Sequence, residues 1–164
     1  MSKVVFTVGD DVSTDVIYPG RYMATVLPTE TPAFAFADHQ EFNAKLKAKT
    51  VPPGSIVVGG INFGCGSSRE QAVSCLKGYE LVIVARSFAR IFQQNAINLG
   101  LNIVEVPDLR ASEGDELELS GERVVNRTTG ASFAMVQLPK ARQAIIDAGG
   151  LIAYTRKRLM EGVA

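Results

Sequence analysis

Gly59-Gly60-Ile61-Asn62-Phe63-Gly64-Cys65-Gly66-Ser67-Ser68-Arg69-Glu70-Gln71 follows the apolar run Ser55-Ile56-Val57-Val58 and opens a helix expected from Arg69 to Lys77. The four glycines let the backbone turn tightly and leave amides uncovered. The helix start adds free N–H groups and a positive dipole end. Two hydroxyls, Ser67 and Ser68, and the Arg69 guanidinium fork stand at the same point, a donor set suited to a small carboxylate. Other glycine-rich signatures fit worse. A phosphate loop needs Lys before Ser or Thr, and the dinucleotide fingerprint needs a small residue where Arg69 stands. A hydrolase elbow needs glycine on both sides of the serine, and Ser67 is followed by Ser68. The bland alternative is a strand-to-helix turn in which Ser67 or Ser68 caps the helix and Glu70 or Gln71 supports its first turn.

Working outward, the motif belongs to a βαβαβ pattern. Leu81-Val82-Ile83-Val84-Ala85 is a continuous apolar run, as in a strand buried on both faces. Ser87 is expected to cap a helix over Phe88 to Leu99, ended by Gly100. Phe88, Ile91, Phe92, Asn95 and Leu99 fall at helical spacing, and Asn102 to Val106 reads as the next strand. The alternation predicts parallel pairing and an α/β fold. Upstream, residues 3–8 read as a first strand, Gly9 to Asp15 as a polar turn, Ile17 to Gly20 as another, and Asp38 to Lys47 as a helix. Downstream come a hairpin (Glu116–Leu119, Arg123–Asn126), a strand over Ser132–Leu138, a helix from Pro139 to Ala148, and an amphipathic tail helix over 151–160.

The 164 residues suffice for one domain with a real core, spanning 1–164 without a linker or repeat. Lys plus Arg number 17, as do Asp plus Glu, so the balanced charge argues against nucleic acid or anionic membrane as partner. No apolar run approaches a membrane span, and the early acidic N-terminus is no signal peptide, which points to the cytoplasm. Two cysteines, Cys65 and Cys75, do not hold a structural zinc or an iron–sulfur cubane unaided. A cysteine nucleophile wants a histidine base, and the sole histidine is His39.

Three segments occur in order: Ser13-Thr14-Asp15-Val16-Ile17-Tyr18-Pro19-Gly20-Arg21-Tyr22, then Asn62 to Ala72, then Ser87-Phe88-Ala89-Arg90-Ile91-Phe92-Gln93-Gln94-Asn95-Ala96-Ile97-Asn98-Leu99-Gly100-Leu101. Together they closely resemble the small subunits of 3-isopropylmalate dehydratase and homoaconitase, which correspond to the swivel domain of aconitase. The resemblance covers essentially the whole chain. It implies a swivelling β/β/α domain and a hydro-lyase subunit of leucine biosynthesis. It further implies that this chain binds no cofactor itself. A larger partner would carry a [4Fe-4S] cluster, in a heterodimer or heterotetramer whose active site forms at the interface. Ser67 matches the family's base, Arg69 its substrate-carboxylate ligand, and Ser68 and Gly66 the surrounding anion site. Thr14 and Asp15 match a Thr-Asp pair that positions catalytic groups. Arg90 reads as a structural or interface arginine.

Substrate choice in this family lies in a short loop after the Pro-Gly turn. Homoaconitase-like members carry Tyr-Leu-Arg-Thr there, whose arginine pairs an extra carboxylate. Here the loop is Tyr22-Met23-Ala24-Thr25, with Ala24 in the arginine's place. An alanine cannot neutralise a buried carboxylate. Met23 and Ala24 suit a branched apolar group, which favours isopropylmalate, although Arg21 is close enough in sequence to substitute for the missing cation. 2,3-Dimethylmalate, another alkylmalate, or an aconitate-type tricarboxylic acid are the alternative substrates. A non-catalytic carboxylate-binding module is the reading from a different class.

Overall fold

The computed structural model describes residues 1–162. Its framework is a set of β-branched runs punctuated by Gly and Pro. β1 (Ser2–Thr7), β2 (Ile56–Gly59), β3 (Val82–Ala85) and β4 (Asn102–Glu105) pair in parallel, in the order β4-β3-β2-β1. Three antiparallel strands, β5 (Glu116–Ser120), β6 (Arg123–Asn126) and β7 (Ser132–Ala134), extend the sheet beyond β1 to seven strands. The far ends then approach each other, for Val136 N–H donates to Glu105 O at 2.8 Å.

Parallel strands laid down successively in one direction have right-handed crossovers, which put all their helices on one face. Accordingly α1 (Thr14–Ile17), α2 (Gln40–Lys47), α3 (Glu70–Lys77), α4 (Arg90–Leu99) and α5 (Lys140–Asp147) contribute to one apolar core with Val57, Ile83, Ala85 and Ile103 from the sheet. The opposite face buries Val4, Ile56, Val58 and Val84 against Leu117 and Val124 of the curled antiparallel strands, with no helix involved. Strand alternation sorts the residues between the two cores. In β1 a register shift between Val4 and Phe6 breaks the alternation, so Val4 joins the inner core and Phe6 the helical one. α6 (Leu151–Met160) closes the described chain and buries none of its residues, as expected for a solvated amphipathic tail.

Several local expectations shift. Thr14–Ile17, where one expected turn ends and the next begins, form the one-turn helix α1, capped by the Ser13 hydroxyl accepting from Val16 N–H. α2 starts at Gln40 rather than Asp38. α4 starts at Arg90 rather than Phe88, and Ser87 does not cap it. Its hydroxyl instead accepts from the Asn62 amide at 2.8 Å. The strand expected to reach Leu138 ends at Ala134, with Val136 forming only the bridge to Glu105.

Candidate active site

Three loops leave the carboxyl ends of β1, β2 and β3 and are laced together, at the edge where open α/β sheets bind ligands. Thr14 N–H donates to Cys65 O (2.8 Å) and Gly64 N–H to Val12 O (2.7 Å). Phe63 N–H donates to Ser87 O (3.0 Å), and Ala89 N–H to Phe63 O (2.9 Å). Phe63 is fully buried, edge-on to Phe88 and Phe92. Burying such a ring contributes about 1.5–3 kcal/mol, which anchors the glycine loop from below. Gly64 has φ +83°, and a β-carbon there would lie 2.2 Å from Phe92, so the turn requires glycine.

On this base Gly66, Ser67 and Ser68 stand exposed. Neither serine caps α3. Its N-cap is Arg69, without a side-chain hydrogen bond, which removes the bland capping role for both hydroxyls. Ser67 Oγ shares a 3.3 Å hydrogen bond with Oγ1 of buried Thr14, in which either is the donor. Among the described residues, the amides of Gly66, Ser67 and Ser68 donate to no protein group. The hydroxyl and these amides belong to the exposed stretch that leads directly into α3.

Arg69 is mostly buried, with 17 % of its side chain exposed. Its Nη1 donates to Asp15 Oδ1 (2.6 Å) and Tyr18 O (3.3 Å). Its Nε is buried with no partner among the described residues, and Nη2 donates to none of them either. Asp15 Oδ1 also accepts the Gly20 amide at 2.8 Å. The Arg69 hydrogen bond, and after it the Gly20 amide, hold the Asp15 carboxyl below its ordinary value. A carboxylate thus already occupies one side of the guanidinium and leaves donor capacity on the other.

The neighbouring loop reaches this point through Gly20 and through Gln71, whose Nε2 donates to Met23 O at 3.3 Å. Met23 and Ala24 are exposed, and Thr25 partly so. Tyr22 stacks on Phe34, ring centroids 4.2 Å apart. Arg21 donates with both Nη atoms to Asp38, at 3.2 and 2.5 Å. The structure therefore brings Thr14, Asp15, Gly66, Ser67, Ser68 and Arg69 together and sets Met23–Thr25 beside them. Arg90 is exposed at the start of α4.

Three residues escaped the sequence reading. Asn95 Nδ2 donates to Ser68 O (3.2 Å) and ties α4 to the serine loop. Its signal was a polar residue in the inward phase of an apolar helix. Asn62 takes φ +60° and donates to Asp11 Oδ1 (2.8 Å). Asp38 had no sequence signal. His39 packs against Phe6 and Phe36, while Cys65 Sγ donates to Asp11 O at 3.4 Å. Cys75 is fully buried, and burial pushes its thiol up. Among the described residues no group of three or more His, Cys, Asp or Glu is arranged to hold a metal, and no helix is long and apolar enough to cross a membrane.

A parallel sheet singly covered by helices, curled against an antiparallel extension and carrying a glycine–serine–arginine loop, defines a swivel-type domain of the aconitase class. The aconitase C-terminal domain family matches residues 16–109. A 3-isopropylmalate dehydratase small subunit from Methanosarcina mazei is 45% identical over 158 residues, 93% of this chain and 94% of that protein. An isopropylmalate/citramalate isomerase small subunit from Methanocaldococcus jannaschii is 42% identical, across 96% of this chain and 94% of that protein. A crystal structure of a 3-isopropylmalate dehydratase from the same organism superposes with TM-score 0.86 at 36% identity, covering 98% of this chain and 95% of that one. The chain belongs to the aconitase C-terminal domain family, in the branch of 3-isopropylmalate dehydratase small subunits.

Proposed function

We propose that this chain is the small subunit of a hydro-lyase that interconverts 2-isopropylmalate and 3-isopropylmalate by dehydration and rehydration. The observation that carries the reading is the Ser67 hydroxyl, exposed beside unbonded amides, bonded to Thr14 and adjacent to the Arg69 fork. The reaction removes a weakly acidic C–H proton beside a carboxylate and a hydroxyl from the neighbouring carbon. Ser67 takes and returns the proton. Thr14 fixes its rotamer, and the loop amides with the α3 N-terminus stabilise the developing alkoxide. Arg69, held by Asp15 and Tyr18 O, orients a substrate carboxylate through its remaining donors. The proton and the hydroxyl then return to opposite carbons, so atoms balance over the cycle.

Loss of hydroxide asks for a Lewis acid, and the described residues of this chain do not fit one. We assign it to a [4Fe-4S] cluster on a large subunit that covers the open face. Relatives named as small subunits support that partner. The apolar Met23 and Ala24 beside the site support an alkyl-substituted malate over a tricarboxylic acid. The relative that also bears citramalate in its name supports some tolerance in alkyl size.

The test is to mix this chain with the large subunit encoded in the same genome, its cluster reconstituted anaerobically. 3-Isopropylmalate, dimethylmalate, isocitrate and homoisocitrate are then offered and alkene formation is followed. Turnover is expected only in the mixture and strongest with 3-isopropylmalate. Preference for a tricarboxylic acid overturns the reading of the loop, and no turnover with any acid overturns the catalytic role.

A further inference from the structure

Arg21 and Asp38 lie outside the machinery above, yet they border it. Arg21 sits in the 3₁₀ turn Gly20–Tyr22, directly before Met23. Gly20 is in contact with the Asp15–Arg69 pair: its amide donates to Asp15, and a β-carbon on it would lie 3.2 Å from Arg69 Nη2. Arg21 is therefore one residue from the anion site. Its guanidinium also lies 4.7 Å from the Tyr22 ring centroid. The charges alternate along this surface as Arg69, Asp15, Arg21, Asp38. Asp15 is lowered by the Arg69 hydrogen bond and the Gly20 amide, with Arg21 the smallest contributor, and Asp38 is lowered chiefly by its Arg21 hydrogen bond, with Asp15 a minor opposing charge.

We propose that Asp38 is a specificity-determining residue, which engages both Nη atoms of Arg21 and so withholds that cation from the substrate's variable group. This role of Asp38 rests on the proposed placement of Met23–Thr25 beside the substrate's variable group. Ala24 lacks a charge, and Arg21 is the one cation in that turn able to take its part. With both Nη atoms taken by one carboxylate, Arg21 offers a second carboxylate less charge and fewer free donors than an unpaired guanidinium, whereas Arg69 gives Asp15 one Nη only. A third substrate carboxylate then meets a neutral ion pair and an apolar loop, whereas an alkyl group meets no unpaired charge. Asp38 acts through Arg21 and touches no substrate atom, so it is a positioning residue.

The test uses the complete anaerobic complex and two unreactive mimics, isopropylsuccinate and tricarballylate, with affinities read by calorimetry. Asp38→Asn preserves shape and removes charge. It is expected to raise tricarballylate affinity relative to isopropylsuccinate by about tenfold. The double variant Asp38→Asn, Arg21→Ala is expected to return the ratio to that of the wild type. Arg21→Gln, which leaves Asp38 an unpaired anion, is expected to move the ratio the opposite way. A mere staple between two surface segments would change melting in all three variants without this pattern of signs. A wild-type preference for isopropylsuccinate with an unmoved ratio in Asp38→Asn overturns this proposal alone. A wild-type complex with no such preference overturns the loop reading and this proposal together.

Discussion

Two carboxylates, one beside each half of the sheet, sit in opposite kinds of company. In the antiparallel half, Asp115 Oδ2 accepts from Ser112 N–H (2.9 Å) and from Asn126 Nδ2 (2.8 Å). Asn126 Oδ1 in turn accepts the amides of Thr128 and Thr129, each at 3.1 Å. Both side chains are buried and each has its partners. In the parallel half, Asp15 is 64 % exposed, and its partner Arg69 keeps a buried Nε with none among the described residues. A buried donor left unpaired costs about 1–3 kcal/mol. The closed knot satisfies its buried groups, whereas the Asp15–Arg69 pair leaves one buried donor without a partner among the described residues. The same contrast separates the connections: β5 and β6 are joined by the exposed two-residue turn Gly121-Glu122, while the loops after β1, β2 and β3 are held by one another.

The largest test of this division is Ser67→Ala. With the partner present, turnover is expected to fall about 10²- to 10⁴-fold, the range for losing a general base. Melting of the isolated chain and binding to the large subunit are expected to stay as in the wild type, and turnover retained in full would sink the assigned base. Leu117→Ala attacks the other half. Leu117 is 1 % exposed in the inner core, and its truncation is expected to lower unfolding free energy by about 2–5 kcal/mol. Turnover per folded molecule should not change, and denaturant titration with active-site counting separates the two effects. Gly64→Ala crosses the boundary, because it strains a positive φ and collides with Phe92. A destabilisation of about 1–3 kcal/mol is expected together with a drop in rate, since the serine loop moves with it.

The smallest effect is read in pH. Asp15 is lowered first by Arg69 and then by the Gly20 amide; Asp115 is lowered first by the Ser112 amide and then by Asn126. A carboxyl whose folded pKa is depressed adds stability that is fully present above its unfolded value. That stability is lost as pH falls through the folded pKa. Asp15→Asn and Asp115→Asn should therefore each flatten the acid limb of a stability–pH curve, below about pH 4. Asp15→Asn alone should also raise KM. An equal rise in KM with Asp115→Asn would erase the distinction between the two networks.

The parallel half was legible in sequence where a strand is a contiguous apolar run, as at Leu81–Ala85, since two covered faces demand such runs, and where a glycine stops a helix, as Gly100 does for α4 with φ +77°. The capping expectations fail together. Ser87, Ser67 and Ser68 all stand where a local rule puts a helix cap, and none caps a helix. Ser87 is recruited by Asn62, 25 residues away, and Ser67 by Thr14, 53 residues away. Propensity rules do not see a competitor at that distance. The candidate site was legible only as motifs, since the Asp15–Arg69 pair joins residues 54 apart. Asp38 had no signal at all, because one exposed aspartate in a polar stretch looks like any other.

The exposure of Ser67 has a kinetic consequence. In water, with its high dielectric constant, the dipoles aimed at an alkoxide are screened and the serine is an ordinary alcohol. Once a partner surface expels that water, the same amides and the same guanidinium act at several times the strength without moving. On the proposed reading, assembly itself is the activation step. A chain made in excess of its partner would then circulate as an inert alcohol-bearing surface rather than as a stray base.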